Sequence, residues 1–322
     1  MKKAKLISLA IFPLLLVGCG GNDTSTQSSV DSSEKTSERE LRDKHYVPTS
    51  EVTIAGVMED PNAAPYYAGI TNFDTLAGEE LETALRELLQ STVRLIQYSG
   101  GGRNVWDAVK EADLYVDEDG VKWIRGIYSR NLIPFANQQG NINETKANTY
   151  NREHVVPRSF LQNATHKEND PYGSPNASTD IANIFAEDYL VNSKRGTMKF
   201  GEVPYPTYIS FIEDSVGRQT DVNVNTSAGV IEPTDLSKGE IARVNLYMLL
   251  MYPQYIRIGQ TGDLSTFLKW NIEFQPTKER DYLRNEVIFE YQRNRNPFID
   301  DYNLACRIWG EYDDTTKQVC RV

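Results

Sequence analysis

Residues 150–160 read Tyr-Asn-Arg-Glu-His-Val-Val-Pro-Arg-Ser-Phe. The stretch joins a carboxylate and an imidazole to a short apolar run that ends at a proline. In a regular strand Glu153 and His154 would point to opposite faces, so both can serve one site only at a strand end or a distortion. Pro157 disfavours continued strand pairing and favours such an end. A neutral imidazole accepts a proton near pH 7, which makes His154 a candidate general base, although taken alone a structural histidine is the simpler interpretation.

Two further stretches follow: residues 180–184 read Asp-Ile-Ala-Asn-Ile, and residues 191–196 read Val-Asn-Ser-Lys-Arg-Gly. Asn192 and Arg195 are three residues apart, so on a helix they share a face. Glu153 and Asn192 offer the hard oxygen ligands that Mg²⁺ and Ca²⁺ prefer, and Mg²⁺ often keeps several waters, so two protein ligands suffice. Arg195 is then placed to bind phosphate beside the cation. The alternative role for Arg195 is a surface ion pair.

The ordered series of these motifs resembles the endonuclease I family, periplasmic and secreted nucleases of the His-Me finger (ββα-metal) superfamily. Family-like sequence flanks the motifs, so the resemblance runs from about residue 65 to residue 310 and includes residues 66–69, 105–108, 241–248 and 291–300. It implies a ββα-metal core embedded in a mostly helical single domain, and a largely sequence-nonspecific endonuclease that hydrolyses phosphodiester bonds in DNA, RNA or both. It assigns His154 as the general base, and it assigns Glu153 and Asn192 as ligands of one divalent cation, Mg²⁺, with Ca²⁺ or Mn²⁺ as alternatives.

Cations around the motifs complete the predicted site. We expect Arg195 to act with His154 in catalysis, and we expect substrate phosphates to bind Arg152, Arg158 and Lys194. Two positions depart from the family pattern, because Ala182 replaces a histidine and residues 185–186 read Phe-Ala where the family usually has Arg-Pro. These departures reduce the cationic support of the transition state, so we expect weaker activity or different phosphate contacts.

The N-terminus has the layout of a bacterial lipoprotein precursor. Three lysines within the first five residues precede an apolar run at residues 6–17, which is too short to span a membrane as a stable helix. Residues 16–19 read Leu-Val-Gly-Cys and resemble a lipobox. That resemblance implies that residues 1–18 are a signal peptide and that Cys19 is acylated, with an ordinary secretory signal as the alternative. We therefore expect an extracytoplasmic protein anchored to the cell membrane.

The mature chain divides into a tether and a folded part. Residues 19–50 are polar and contain few large apolar side chains, which predicts a flexible tether. A catalytic domain is expected over residues 51–322. Only Cys306 and Cys320 remain besides the acylated cysteine, and in an oxidising compartment they can pair as a disulfide. A zinc site with four cysteine ligands is excluded by this count.

The charge and the motifs exclude some functions and leave others open. The formal net charge is −11, but binding of nucleic acid needs only a local basic groove. Two groups of cations suit such a groove: Lys194, Arg195 and Lys199, and Arg280, Arg284, Arg293 and Arg295. Neither a Gly-x-Ser-x-Gly nor a His-Glu-x-x-His motif occurs, so the corresponding serine hydrolases and zinc proteases are excluded. The remaining alternative is a surface lipoprotein that binds nucleic acid on a catalytically weakened nuclease scaffold, and we expect a monomer.

Apolar spacing predicts the main elements. Spacings of three and four predict a helix within residues 78–98 and a buried helix over residues 240–252. A further helix is expected over residues 277–292, with Leu283, Val287 and Tyr291 along one apolar face. Residues 121–128 have the composition of a strand. Because helices and strands do not alternate in βαβ order, we expect the α+β class.

Overall fold

The computed structural model describes residues 63–140, 146–164, 175–203 and 210–322. The predicted signal peptide, Cys19 and the tether lie outside these residues, as do His45 and His166. None of the described helices has the length and apolar character needed to cross a membrane.

Helices contribute most of the regular structure. In chain order the described α-helices are α1 (Ala64–Tyr67), α2 (Gly78–Thr92), α3 (Val105–Ala112), α4 (Tyr189–Arg195), α5 (Asp235–Met251), α6 (Leu264–Glu273), α7 (Leu283–Gln292), α8 (Pro297–Asp300), α9 (Asn303–Trp309) and α10 (Asp314–Cys320). Short 3₁₀ segments lie at Arg158–Ala164, Ala177–Thr179 and Ile181–Asn183, and one π-helical turn at Lys278–Tyr282 leads into α7.

The described strands form three small sheets. They are β1 (Leu114–Val116), β2 (Lys122–Arg125), β3 (Leu132–Pro134), β4 (Tyr150–His154), β5 (Ile184–Asp188), β6 (Lys199–Phe200), β7 (Ser210–Glu213), β8 (Gln219–Asn225) and β9 (Val230–Glu232). The sheets have the orders β1-β2-β3, β4-β5 and β6-β9-β8-β7, and the pairing is antiparallel except between β6 and β9. Separate small sheets among helices confirm the predicted α+β class.

The pair β4 and β5 forms a ββα unit with α4. In their antiparallel register Glu153 lies opposite Phe185, and His154 lies opposite Ile184. β5 ends at Asp188, whose carboxylate accepts hydrogen bonds from the first backbone N–H groups of α4 and so begins the helix. Local signals in the sequence therefore produce the strand, strand, helix order that was predicted for the core.

Helix α5 lies at the centre of the hydrophobic core. Every residue from Ser237 to Met251 is buried, which agrees with the buried helix predicted over residues 240–252. Its neighbour α6 approaches closely at Gly239, where an added Cβ would lie 1.9 Å from the carbonyl oxygen of Phe274. The glycine therefore permits the close packing of the two helices.

Two predicted boundaries were wrong. The helix predicted as far as residue 98 ends at Thr92, because the backbone N–H of Arg94 donates to the carbonyl oxygen of Gln292 in another part of the chain. The strand predicted over residues 121–128 is limited to β2. After β2 the chain turns towards β5, where the N–H of Ile127 donates to the carbonyl of Ala186.

The predicted face of α7 was correct only in part. Leu283, which was expected to begin the apolar face, is 48% exposed. The helix buries Val287 of the predicted face together with Arg284 and Ile288. Because Arg284 is buried with a carboxylate partner, the buried face of the helix differs from the face that apolar spacing alone predicts.

Candidate active site

The two faces of β4 carry different parts of the predicted site. Side chains alternate along a strand, so Asn151 and Glu153 share one face while Arg152 and His154 share the other. Helix α4 lies against the first face. The amide nitrogen of Asn192 donates to Oδ1 of Asn151 over 2.7 Å, and Nη1 of Arg195 donates to Oε1 of Glu153 over 3.2 Å. The structure therefore brings the two proposed cation ligands to the same side of β4.

Glu153 is held by two donors on a single oxygen. The hydroxyl of Tyr128 donates to Oε1 over 2.5 Å, and the guanidinium of Arg195 donates to the same atom. The carboxylate is 4% exposed. Burial raises the pKa of Glu153 to about 7, although Arg195, Tyr128 and the backbone of His154 act in the opposite direction. Neither of these two side chains donates to Oε2, which makes that oxygen the candidate cation ligand.

His154 is the last residue of β4 and retains 7% exposure. Its Nε2 lies 2.8 Å from the carbonyl oxygen of Ser178. A carbonyl only accepts, so Nε2 carries the proton and Nδ1 of the neutral ring holds the free lone pair. Burial lowers the pKa of His154 to about 4 and nearby arginines act in the same direction, while the bond to Ser178 opposes them. The ring is therefore neutral at pH 7.

Arg195 is buried inside the protein and is not on a surface where a substrate phosphate would bind. It is 1% exposed, and its Nη1 donates to the carbonyl oxygens of His154 and Gly196 at 3.2 Å as well as to Glu153. Its Nη2 donates to the carbonyl of Val155. The alternative of a surface ion pair also differs from the structure, because the pair with Glu153 is buried. The guanidinium fastens the end of β4 to α4.

The other predicted cations occupy different environments. Arg152 lies between two rings, 3.4 Å from the centroid of Tyr98 and 4.3 Å from that of Trp106, and it donates to the carbonyl of Tyr98. Arg158 is half-buried, and Lys194 is exposed. Lys194 is thus more accessible to a substrate than Arg152, which contacts Tyr98 beside His154.

The cluster predicted at residues 280–295 is not a surface groove. Arg280, Arg284 and Arg295 are buried and form ion pairs with Glu240, Asp113 and Asp300. Arg293 is exposed. The prediction of a basic patch here was wrong, because the sequence does not reveal that each buried arginine meets a carboxylate from a distant segment.

The departures from the family pattern are accommodated by packing. Ala182 is buried, and its N–H donates to the carboxylate of Asp180. Phe185 is also buried, with the guanidinium of Arg284 3.3 Å from its ring centroid. Neither position supplies a cation of its own to the site.

The donor set fits a hard cation with few protein ligands. Among the described residues no cluster of three or more His, Cys, Asp or Glu side chains is arranged to hold a metal ion. The candidate ligand atoms are Oε2 of Glu153 and Oδ1 of Asn192, whose amide nitrogen is the atom that bonds Asn151. A carboxylate and an amide oxygen suit Mg²⁺ or Ca²⁺, and waters complete the coordination of Mg²⁺.

Four residues that support the site were not predicted. Asn151 orients Asn192, Tyr128 binds Glu153, Ser178 binds His154, and the ring of Tyr98 lies 5.8 Å from that of His154. The alternation of side chains along a strand would have placed Asn151 beside Glu153. The other three come from distant parts of the chain, and no local pattern indicates them.

Comparison with known proteins identifies the family of the chain. The profile of the family described as Endonuclease I matches residues 77–303. The chain is similar to an extracellular ribonuclease of Bacillus amyloliquefaciens, with 30% identity over 250 residues that cover 72% of this chain and 75% of the relative. An extracellular ribonuclease of Bacillus subtilis (strain 168) is 30% identical over 267 residues, or 77% of this chain and 81% of the relative. Endonuclease-1 of Buchnera aphidicola subsp. Baizongia pistaciae (strain Bp) is 25% identical over 169 residues, or 49% and 64%. The chain therefore belongs to the Endonuclease I family.

Proposed function

We propose that the protein is an extracytoplasmic, metal-dependent endonuclease that hydrolyses phosphodiester bonds in DNA and RNA with little sequence preference. The observation that carries the proposal is the hydrogen bond from Nε2 of His154 to Ser178, which leaves Nδ1 as a proton acceptor at the end of the strand that bears Glu153. Membership of the family and the similarity to two extracellular ribonucleases and an endonuclease support the same reaction class.

The roles of the residues follow from their chemistry. Nδ1 of His154 removes a proton from the attacking water, and the carbonyl of Ser178 keeps the ring in the tautomer that can do so. Glu153 and Asn192 would hold the divalent cation, which supplies positive charge to the phosphate as negative charge develops. Arg195 positions Glu153, and Arg158 and Lys194 are the cations that would contact the nucleic acid backbone. Contacts to phosphate rather than to base edges explain a lack of sequence preference and an acceptance of both DNA and RNA.

Substitution of the proposed base is the direct test. His154→Ala should lower kcat by about a hundred- to ten-thousand-fold, because general base catalysis contributes that much. Hydrolysis of plasmid DNA and of RNA would be followed with Mg²⁺, with EDTA, and with Mg²⁺ restored after EDTA. Ser159→Ala, a change at an exposed neighbour, is the matched control. Near-normal cleavage by a folded His154→Ala protein would refute the base assignment, and activity that is indifferent to EDTA would refute the role of the cation.

One observation favours the alternative of a scaffold that binds without cutting. Glu153 and His154 retain only 4% and 7% exposure, so little of either side chain is open to a substrate. A protein of this kind would bind an oligonucleotide with the same affinity before and after His154→Ala and would release no product with any divalent cation. Product formation by the unaltered chain would exclude it.

We also propose that Cys19 carries the lipid that anchors the protein to the membrane. The support is the charged and apolar N-terminus that ends at Leu-Val-Gly-Cys. Cys19→Ser should move the protein from the membrane fraction to the soluble fraction, because one or more acyl chains would be lost. Immunoblots of fractionated cells measure this, with Cys306→Ser as a cysteine control. Retention of the Cys19→Ser protein in the membrane fraction would contradict acylation.

A further inference from the structure

A cavity of about 680 Å³ lies away from the proposed catalytic residues. It is bounded by the β1-β2-β3 sheet, by the first half of α5, and by the segment that joins α6 to α7. Its walls include Tyr115 of β1, Leu236 of α5 and Phe274 after α6. None of the residues that we assign to base catalysis, cation binding or substrate contact lines it.

Three arginines line this cavity, and two of them contact the same carboxylate. Nε of Arg280 donates to both oxygens of Glu240 at 2.8 and 2.9 Å, and Nη2 of Arg130 lies 3.1 Å from that carboxylate. The side chain of Arg125 has neither an ion pair nor a hydrogen-bond acceptor among the residues that the structure describes, and its guanidinium lies 4.5 Å from the ring centroid of Tyr115. This group of cations therefore carries an excess of positive charge.

The other acidic groups that line the cavity offset this excess only in part. Asp281 is paired with Arg243 over 2.6 Å, and it also attracts Arg130 and Arg280. Glu279 is exposed, so solvent screens its charge. The charged partners that act on Glu273 are Lys269 and Lys238 together with acidic groups, and none of the three arginines is among them.

The three arginines also repel one another and leave donors unused. Burial lowers the pKa of Arg130 to about 10, and Arg280 acts in the same direction. Burial and Arg280 also lower the pKa of Arg125. Nη2 of Arg280, a residue that is 7% exposed, and Nε of Arg130 are buried without an acceptor in the described part of the chain. An anion that entered the cavity would relieve the repulsion and supply acceptors.

We propose that this cavity binds a phosphate group, held by Arg125, Arg130 and Arg280. The planar guanidinium binds two oxygens of a phosphate at once, and the phosphate has a further oxygen for another arginine, which a carboxylate or a halide ion lacks. The ligand is either inorganic phosphate or the phosphate of an organic molecule, whose remaining part would pack against Leu236, Phe274 and Pro276. The inference goes beyond the proposed hydrolysis and does not depend on it.

Calorimetric titration of the full chain tests the proposal. Inorganic phosphate and adenosine 5′-monophosphate would be titrated separately in the presence of EDTA, so that no cation bridges a ligand to Glu153. Arg125→Gln should weaken binding by about tenfold or more, because one charged donor is lost. The side chain of Arg125 makes no hydrogen bond within the described residues, so its replacement should leave the fold intact, and circular dichroism checks this. Arg257→Gln, at an exposed position outside the cavity, should bind as the unaltered protein does.

Each outcome bears on the proposal. Tighter binding of the nucleotide assigns the apolar wall to the organic group, and equal binding assigns the site to phosphate alone; both support a phosphate site here. Arg125→Lys, which keeps the charge but loses the planar donors, should retain part of the affinity. The absence of binding of either ligand, or equal affinities of Arg125→Gln and the unaltered protein, would overturn the proposal while leaving the nuclease assignment intact.

Discussion

At the residue scale, single hydrogen bonds decide which atom of each functional side chain is available. The carbonyl of Ser178 places the proton of His154 on Nε2 and leaves Nδ1 to accept. In the same way Oδ1 of Asn151 accepts a hydrogen bond from the amide nitrogen of Asn192, which leaves the carbonyl oxygen of that amide as the candidate ligand atom. A ligand that is oriented by a neighbour loses less freedom when it binds a cation.

Asn151→Ala should therefore weaken cation binding without removing a ligand. We expect the Mg²⁺ concentration that gives half-maximal activity to rise by about tenfold, because Asn192 is no longer held in one orientation. Activity at saturating Mg²⁺ should stay close to that of the unaltered protein. Calorimetric titration with Mg²⁺ gives a second readout that does not depend on turnover.

The adjacent exposed position provides the control for this change. Ser193→Ala lies next to Asn192 on α4 and should leave the Mg²⁺ dependence unchanged. If Asn151→Ala and Ser193→Ala show the same Mg²⁺ dependence as the unaltered protein, Asn151 does not position the ligand.

At the element scale, the segment before β5 that contains Asp180 and Asn183 has a structural role. Asp180 accepts hydrogen bonds from the hydroxyls of Tyr247 and Tyr252 and from the amide of Gln292. The side chain of Asn183 binds both the N–H and the carbonyl of Val156, and so fixes the chain just after His154. The family-like residues in this segment thus hold β4, α5 and α7 together. The candidate site residues come from β4 and α4.

The C-terminal helices are joined by a different kind of link. Cys306 of α9 and Cys320 at the end of α10 form a disulfide with a sequence separation of 14. Gly310 lies between the two elements, because an added Cβ would lie 2.5 Å from the carbonyl oxygen of Cys306 in α9 and 3.2 Å from Cβ of Cys320 in α10. A bridge that closes a loop of this length stabilises mainly by restricting the unfolded chain.

Replacement of both cysteines, Cys306→Ser with Cys320→Ser, should lower the free energy of unfolding by about 3 kcal/mol. Urea unfolding followed by circular dichroism measures the difference. Dithiothreitol should lower the stability of the unaltered protein and have no effect on the double variant. Equal stabilities under oxidising conditions would contradict a stabilising role of the bridge.

At the scale of the whole molecule, an acidic protein uses its arginines internally. Arg284 pairs with Asp113 over 171 positions of sequence, and Arg195 pairs with Glu153 over 42. Such pairs tie distant segments together, and breaking one leaves a buried charge without its partner. The net charge of −11 therefore does not reveal that arginines of this protein form buried ion pairs that stabilise the fold.

Glu240 makes the fold sensitive to acid. Burial alone would raise its pKa, but Arg280, Arg130 and Arg284 outweigh this and lower the pKa of Glu240 to about 2 from 4.5, against a smaller repulsion between Glu240 and Asp113. The folded state then holds its proton less tightly than the unfolded state. The stabilisation is complete above pH 4.5 and is lost as the pH falls towards 2. The difference corresponds to about 3 kcal/mol.

Glu240→Gln should thus destabilise the protein at pH 7 by about 3 kcal/mol and by clearly less at pH 3. Urea unfolding of both proteins at the two pH values measures this. Glu279→Gln, at an exposed position nearby, should show little effect at either pH. A difference between Glu240→Gln and the unaltered protein that is the same at pH 3 and pH 7 would contradict the assignment.

The sequence by itself determined the α+β class, the family, and the order of motifs that contains the proposed base and the two proposed oxygen ligands. Those features depend on residue types at short spacings, and short spacings are set by the geometry of a strand or a helix. Only the tertiary structure decided that Arg195, Arg280 and Arg284 are buried and that Ser178 binds His154. Burial and tautomer depend on partners that approach in space from distant positions, and the free energy of a buried charge is set by those partners rather than by its neighbours in sequence.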